Sequence, residues 1–351
     1  MTTPMSSSVQ RLDDHPRWEP AVRARLEAFL AACALERTSV PAAADAPFAV
    51  FDWDHTLLHG DIGDAIFLHM ARHSLFFRPR DWRHTSAHLT PEALDALARC
   101  TPPGAVRLPG PDGAALTREL VSIYLHHRTT DGQGAFSGYD PEFTHPSYAW
   151  CASLLAGFTP ERIVELTREV LGHLLDRPPG ATGELAGLSG WDDWARPAAP
   201  MIDLARKLEQ AGLPVWIVSA SPQIVVETCA REVGLSPERV IGVRNRAVDG
   251  TLTTRLEPCR GREDVIPYCL GKRCWIQRIL GSPAEPGLDP PDGRLGGRLW
   301  FAAGDSDGDL AFLQDADRLR LVIAHRDNRS VRLARNDEDG RWLVNPPFFG
   351  A

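Results

Sequence analysis

The sequence lacks the features that mark membrane, secreted and nucleic-acid-binding proteins. The N-terminal segment MTTPMSSSVQRLDDHP has no apolar core of the kind a signal peptide needs. No stretch reaches the roughly 18 apolar residues of a membrane span. The net charge is −8, and no long basic tract is present, which argues against a broad nucleic-acid-binding surface. These absences predict a cytoplasmic protein that contacts neither membrane nor nucleic acid.

Cysteine pairs with the spacing of a metal or redox motif are also missing. The seven cysteines include no Cys-x-x-Cys pair, and their odd number and the length of the chain argue against a disulfide framework. We therefore expect reduced thiols, most of them buried. The composition is otherwise that of a soluble globular protein, 43% hydrophobic and 24% charged over 351 residues. This length allows two domains, or one large domain with an insertion.

Short apolar runs alternate with helical patterns in most of the chain. Runs that end at polar residues are typical of parallel strands buried on both faces. The alternation predicts an α/β fold, a doubly wound, Rossmann-like parallel sheet with helices on both faces. Strands are predicted at 48–51, 214–218, 240–243, 299–303 and 319–324, and helices at 18–35, 202–211, 222–233 and 272–280.

The segment that follows the first strand breaks this alternation. It contains several helical patterns joined by Gly- and Pro-rich loops, which predicts an inserted all-helical cap domain. We expect three parts: an N-terminal helical extension (1–46), an α/β core (47–60 and 196–351) and the cap (61–195). The Pro- and Gly-rich residues 284–297 are predicted to form a surface loop.

The segment VFDWDHTLL places two carboxylates directly after the first predicted strand. Asp52 and Asp54 are two positions apart, so in extended chain both point to the same side. Such a pair suits covalent phosphoryl transfer, in which one carboxylate attacks phosphorus while the other protonates the leaving oxygen and then activates water. The alternative is a solvated acidic turn that caps a helix.

Two single polar residues lie beside other predicted elements. Ser219 ends the run VWIVS before a helix, where its hydroxyl and backbone amides such as that of Ala220 can bind phosphate. The alternative is a serine that caps the helix. Lys272 begins a helix, which is unfavourable for the helix dipole unless an anion lies nearby. The alternative for Lys272 is a solvated surface lysine.

An acidic loop follows the strand predicted at 299–303. The segment GDSDGDL contains Asp305, Asp307 and Asp309, and this density of negative charge calls for a cation. Mg²⁺ prefers carboxylate oxygens, whereas a calcium loop needs a longer ligand series. The alternative is a helix N-terminus that favours acidic residues. Because parallel sheets bind ligands at the carboxyl ends of their strands, we expect all four polar clusters to converge on one pocket.

These four motifs resemble, in the same order, those of the haloacid dehalogenase superfamily. The resemblance covers residues 48–326, and the insertion lies where that superfamily has its helical cap. It implies that Asp52 is the nucleophile and Asp54 the acid/base. It also implies phosphate-binding roles for Thr56, Ser219, Ala220 and Lys272, and Mg²⁺ ligands at Asp52, Asp54 (through its carbonyl oxygen), Asp305 and Asp309.

The resemblance implies a Mg²⁺-dependent phosphatase that hydrolyses a small phosphomonoester through an aspartyl-phosphate intermediate. The founding dehalogenases lack the second Asp of the pair, so Asp54 favours phosphate chemistry. A phosphotransferase or mutase that uses the same intermediate is an alternative, and so is a catalytically silent protein that binds a phosphorylated ligand. The expected partner is a small-molecule phosphomonoester, and the sequence leaves the oligomeric state open.

A finer resemblance, to the branch of phosphoserine and phosphorylcholine phosphatases, is carried by SYAWCASLLAGFTPERI, VIGVRNRAVDGTLTTRL and IPYCLGKRCWI. It implies an amino- or choline-bearing substrate. Aromatic faces hold such cationic groups, and Trp53, Tyr148 and Trp150 are candidates. Asp61 and Asp64 offer carboxylates for the same purpose. The alternative is that the aromatic residues form the core of the cap.

Overall fold

A computed structural model describes residues 11–36, 46–281, 295 and 297–349. Most of the predicted surface loop at 284–297, and the first ten residues of the N-terminal extension, lie outside the described residues. The helices are α1 (Pro20–Glu36), α2 (Ile62–Arg72), α3 (Pro91–Cys100), α4 (Ala114–His126), α5 (Pro146–Ser153), α6 (Pro160–Asp176), α7 (Ala199–Gln210), α8 (Gln223–Glu232), α9 (Leu270–Leu280), α10 (Leu310–Asp315) and α11 (Arg329–Asn336). Short 3₁₀ turns span Trp82–His84, Pro237–Arg239 and Asp307–Asp309. The strands are β1 (Phe48–Phe51), β2 (Leu58–His59), β3 (Phe76–Phe77), β4 (Arg107–Leu108), β5 (Thr182–Leu185), β6 (Leu188–Asp192), β7 (Arg196–Pro197), β8 (Val215–Pro222), β9 (Val240–Val243), β10 (Asn245–Val248), β11 (Thr251–Leu256), β12 (Leu299–Gly304), β13 (Leu319–Ile323) and β14 (Trp342–Asn345).

A six-stranded parallel sheet with the order β14-β13-β12-β1-β8-β9 lies at the centre of the fold. The first strand, β1, is an inner strand, where Phe51 pairs with Ala303 on one side and Ile217 on the other. All four residues of β1 are buried, as a strand covered on both faces requires. The predicted α/β, Rossmann-like fold is confirmed.

The chain divides into two compact units, and the first contains most of the sheet. It comprises Met1–Leu57, Pro197–Ile217 and Pro290–Gly350. Within it, α1 packs against α7 and β14. The ring of Trp18, before α1, meets that of Phe348 edge-on at 4.8 Å, and the Asn345 side chain accepts the Glu19 amide at 2.9 Å. The C-terminal tail therefore packs on the N-terminal extension.

The second compact unit comprises Leu58–Arg196 and Val218–Asp289. Within it, α2 packs against α4, α5, α6 and α8. Helices α3 and α6 begin in the same way, with a threonine N-cap (Thr90 and Thr159) followed by proline at the first helical position. Both residue types favour a helix start. The helical patterns predicted for the insertion are thus present as helices.

This second unit also contains small antiparallel pairs, of which the sequence patterns indicated one strand only, a β-like run at 250–255. They are β3 with β4, β5 with β6 and β10 with β11. The β5–β6 turn has Ala186 and Gly187 at φ +54° and +77°, the backbone of a tight two-residue hairpin. The insertion is therefore mainly helical rather than all-helical.

Two cysteines are paired. Cys259 and Cys274, 15 residues apart in sequence, form a disulfide, so the expectation of reduced thiols is wrong for this pair. Cys33, Cys151 and Cys229 lie outside this disulfide, and all three are buried. Across the described residues, no helix is both long and apolar enough to span a bilayer.

Candidate active site

The turn that follows β1 positions the first carboxylate. The Asp52 amide donates to the Ala303 carbonyl of the neighbouring strand β12 at 2.9 Å, so Asp52 continues the sheet register past the end of β1. Its side chain is buried, and Trp53 next to it is completely buried. The Thr56 hydroxyl donates to Asp52 Oδ2 at 3.4 Å. Both neighbours restrict the movement of the Asp52 carboxylate.

The acidic loop after β12 is organised by its own last carboxylate. Asp309 Oδ2 accepts the backbone amides of Asp305 and Ser306, both at 3.0 Å, and the Ser306 hydroxyl at 3.2 Å. A Cβ atom at Gly304 would lie 2.6 Å from the Asp309 side chain. Glycine is therefore required where the strand enters the loop, because any side chain would displace Asp309.

Three carboxylates from these two segments form one buried cluster. Asp52, Asp305 and Asp309 each offer an oxygen, and these oxygens lie within 4.8 Å of one another. Carboxylates this close repel each other, so a cation among them stabilises the arrangement. An all-oxygen, acidic donor set is what Mg²⁺ prefers. The residues fit the metal that the sequence predicts.

Asp54 follows two positions later and is half-buried. Between the two aspartates and Thr56, His55 adopts φ +62°, the left-handed region that non-glycine residues seldom occupy. The structure thus brings Asp52, Thr56, Asp305 and Asp309 together, with Asp54 in the same turn as Asp52.

The remaining predicted phosphate-binding residues lie in the second compact unit. Ser219 is fully buried in β8, and its hydroxyl accepts the Ser221 amide at 3.0 Å; Ala220 is half-buried. The N-cap of α8 is Pro222, without a side-chain cap, so the alternative of a capping serine at 219 is wrong. Lys272 in the first turn of α9 is 4% exposed, so the alternative of a solvated surface lysine is wrong too.

Two of the predicted substrate-binding aromatic residues are core residues. Trp150 is completely buried, and its Nε1 donates to Thr85 Oγ1 at 2.8 Å. Its ring packs against Phe67, Trp82 and Phe136. Trp53 has no exposed surface either. Neither ring offers a face to a ligand in this structure, which corrects the interpretation of both as substrate contacts.

Asp61 and Asp64, at the start of α2, both accept hydrogen bonds within the fold. Asp61 is the N-cap of α2, and its Oδ1 accepts the Asp64 amide at 2.8 Å. The Asp64 carboxylate accepts the buried Tyr124 hydroxyl at 2.8 Å. Burial and the Asp64 charge raise the pKa of Tyr124 well above its usual value, so the phenol remains a donor to Asp64.

Tyr148 belongs to an aromatic cluster that sequence reasoning identified only in part. The His145 ring stacks on Tyr148 with centroids 4.0 Å apart, and the Tyr268 ring lies 5.3 Å from His145 and 6.2 Å from Tyr148. Tyr148 and Tyr268 are both partly buried. Burial lowers the pKa of His145 to about 4, so its ring is neutral near pH 7. Tyr268 lies shortly before Lys272 in the sequence, and this position could have indicated Tyr268 as a further site residue.

Comparison with known proteins gives the family. A structure of a conserved protein of unknown function from Anaerococcus prevotii is 20% identical, with 97% of each chain covered and a TM-score of 0.66. A protein of unknown function from Bordetella pertussis is 18% identical over 87% of this chain and 99% of its own, with a TM-score of 0.51. A substrate-bound phosphoserine phosphatase is 14% identical over 79% and 86%, with a TM-score of 0.36, too low to support a functional argument.

No curated protein matches the sequence. The family profile described as haloacid dehalogenase-like hydrolase matches residues 124–314. The matched region includes Ser219, Lys272 and the acidic loop with Asp305 and Asp309, whereas Asp52 lies outside it. Because it spans more than half of the chain, the protein belongs to the haloacid dehalogenase-like hydrolase family.

Proposed function

We propose that this hydrolase is a Mg²⁺-dependent phosphatase that cleaves a small phosphomonoester through an aspartyl-phosphate intermediate. The observation that carries the proposal is the buried cluster of Asp52, Asp305 and Asp309 at the carboxyl ends of β1 and β12. Ligands of parallel α/β sheets bind at this end of the strands. The Thr56 hydroxyl within reach of Asp52 restricts the orientation of the attacking carboxylate.

In the proposed reaction, Asp52 attacks the phosphorus atom and an Asp52–phosphate bond forms as the bond to the leaving alcohol breaks. Asp54 donates its proton to the leaving oxygen. Asp54 then accepts a proton from a water molecule, which attacks the phosphorus and releases inorganic phosphate, and Asp52 is regenerated as a carboxylate. Half-burial of Asp54 in the turn after Asp52 suits a group that exchanges protons with substrate and water.

The phosphoryl oxygens need positive partners, because stabilising their charge is the main contribution to catalysis in this reaction class. Mg²⁺ held by Asp52, Asp305, Asp309 and the Asp54 carbonyl would supply such charge. We assign the same role to Lys272, and a hydrogen-bonding role to Ser219 and the Ala220 amide. The positions of Ser219 before α8 and of Lys272 in the first turn of α9 support these assignments, since the N-terminus of a helix favours an anion.

The test is the Asp52→Asn variant, assayed with p-nitrophenyl phosphate and MgCl₂. We expect turnover to fall by at least about a thousandfold, with an unchanged circular dichroism spectrum. Asp307→Asn is the matched control, because this exposed carboxylate lies in the acidic loop but outside the cluster. Wild-type turnover in Asp52→Asn would overturn the nucleophile assignment.

Product analysis distinguishes the phosphatase from the two alternatives, a phosphotransferase and a catalytically silent binding protein. A phosphotransferase would give phosphorylated alcohol at the expense of inorganic phosphate when acceptor alcohols are added. A silent binding protein would show no turnover of any phosphomonoester while a phosphate ester still raised its melting temperature.

For the leaving group we propose an amino- or choline-bearing alcohol, recognised by the aromatic cluster of His145, Tyr148 and Tyr268. Aromatic faces attract quaternary ammonium groups by roughly 0.5–2 kcal/mol each. Asp61 and Asp64 are less suited to this task, because both carboxylates accept hydrogen bonds within the fold. Tyr148→Leu should raise KM for phosphorylcholine several-fold and leave KM for p-nitrophenyl phosphate unchanged. An equal preference of the wild type for sugar phosphates would refute the proposal.

A further inference from the structure

One short segment after β13 bonds to both loops that carry the carboxylate cluster. His325 Nε2 donates to the carbonyl oxygen of His55 at 2.7 Å. Three residues on, Asn328 Nδ2 donates to the carbonyl oxygen of Asp305 at 3.0 Å. A single element therefore spans the turn after β1 and the acidic loop after β12. We call residues 325–330 the bridging segment.

The Asn328 amide is fixed in orientation by its other end. Its Oδ1 accepts the Ser330 hydroxyl at 2.7 Å and the Val331 amide at 2.9 Å, which makes Asn328 the N-cap of α11. The Nδ2 group must then face the opposite way, towards Asp305. Asparagine supplies both an acceptor and a donor here, whereas aspartate would cap the helix equally well but could not donate to the Asp305 carbonyl.

His325 donates its hydrogen bond to a residue with an unfavourable backbone conformation. His55 lies between Asp54 and Thr56 with φ +62°, a backbone conformation that a non-glycine residue keeps only where its surroundings hold it. A carbonyl oxygen can only accept, so His325 carries its proton on Nε2. The two imidazole rings also meet edge-on, with centroids 5.5 Å apart. Both contacts oppose relaxation of the turn.

We infer that His325 and Asn328 are positioning residues for the metal-binding carboxylates, which rests on the proposed function for its catalytic consequence. Neither side chain belongs to the carboxylate cluster. They act through the backbone of His55 and Asp305, and they keep Asp52 of one loop at binding distance from Asp305 and Asp309 of the other. Without them each loop retains its own hydrogen bonds, but the spacing between the loops is less restricted.

The experiment measures Mg²⁺ binding to the full-length protein without substrate, by titration calorimetry, together with the melting temperature. His325→Leu removes the donor, His325→Gln keeps a side-chain N–H, and Asn328→Asp keeps the helix cap but not the donor. Arg332→Gln is the control, because Arg332 lies on α11 and pairs with Asp327 on the surface. We expect at least a tenfold weaker Mg²⁺ affinity in His325→Leu and Asn328→Asp, and no more than a threefold change in His325→Gln and Arg332→Gln.

Wild-type Mg²⁺ affinity in His325→Leu and Asn328→Asp would overturn the inference. So would a loss of affinity in His325→Gln as large as in His325→Leu. If His325→Leu does not fold, the comparison of Asn328→Asp with wild type decides. Turnover of p-nitrophenyl phosphate separates the two proposals: a wild type that binds Mg²⁺ but hydrolyses no phosphomonoester refutes the phosphatase, while the affinity series still decides the role of the bridging segment.

Discussion

Asp309 Oδ2 accepts the backbone amide of Asp305 at 3.0 Å, which ties the last carboxylate of the acidic loop to its first residue. Asp309 is thus a member of the buried carboxylate cluster and also the group that shapes the acidic loop. We propose the first contribution as metal binding. The two contributions can be separated, because asparagine keeps a carbonyl oxygen for the amides and loses the charge.

We therefore expect Asp309→Asn to fold and to bind Mg²⁺ at least tenfold more weakly, which corresponds to about 1.4 kcal/mol. Calorimetry and the Mg²⁺ dependence of activity are the measurements. Asp307→Asn, with the same charge change in the same loop, should keep wild-type affinity. Equal losses in both variants would indicate that only the overall charge of the loop matters.

Trp150 predicts a stability effect rather than a substrate effect. Trp150→Phe removes the hydrogen bond to Thr85 and some buried apolar surface. We therefore expect the free energy of unfolding to fall by about 1–3 kcal/mol. KM should remain unchanged. In a double-mutant cycle with Thr85→Val, the two changes should couple by about 1 kcal/mol, measured by urea denaturation. A raised KM with unaltered stability would instead restore Trp150 as a substrate contact.

The Cys259–Cys274 disulfide predicts a redox-dependent stability. Closing a loop of this length stabilises a fold by roughly 3 kcal/mol, so a reductant should lower the melting temperature of the wild type. The Cys259→Ser/Cys274→Ser double variant should melt at the temperature of the reduced wild type, with or without reductant. Cys100→Ser, which removes a free thiol, should respond as the wild type does. A wild type whose melting temperature does not respond to reductant would contradict this prediction.

His145 predicts a loss of stability in mild acid. Its pKa is lowered to about 4, mainly by burial and further by nearby His127, whereas an unfolded histidine titrates near 6.5. Above pH 6.5 both states are neutral and the stabilisation is complete. Between pH 6.5 and about 4 only the unfolded state gains the proton, so the free energy of unfolding falls.

Urea denaturation at pH 7.5 and pH 5 measures this effect. The decrease should be smaller in His145→Gln than in the wild type. His126→Gln, which changes an exposed histidine of the same unit, should retain the wild-type decrease. A decrease in His145→Gln as large as that of the wild type would assign the acid sensitivity to other groups, such as His69, whose pKa is also lowered to about 4.

The sheet was predictable from sequence where its strands are fully buried. The runs that became β1, β8, β9, β12 and β13 consist mainly of apolar residues, so their composition alone distinguishes them. The last strand, β14, was missed because WLVN is short and mixes polar with apolar residues. The β5–β6 hairpin was missed because its tight turn rests on Ala186 and Gly187, which is not a typical turn sequence.

The part of the candidate site that could be predicted from sequence is the set of side chains at strand ends. Asp52, Asp305 and Asp309 follow buried runs, and the rule for parallel sheets brings such positions together. His325 and Asn328 left no such pattern, because they bond to backbone carbonyls, which every residue has. The disulfide was not predicted, because no local sequence pattern indicates that two cysteines on separate segments meet.

The inner position of β1 has a consequence for synthesis on the ribosome. Ala49 pairs with Val215 on one side, and Phe51 pairs with Ala303 on the other, so the first of these partners is translated roughly 165 residues later. At about 5–20 residues per second, the nascent β1 waits on the order of ten to thirty seconds for a neighbour. During that interval an apolar segment that the finished protein buries on both faces is open to chaperones and to misassociation.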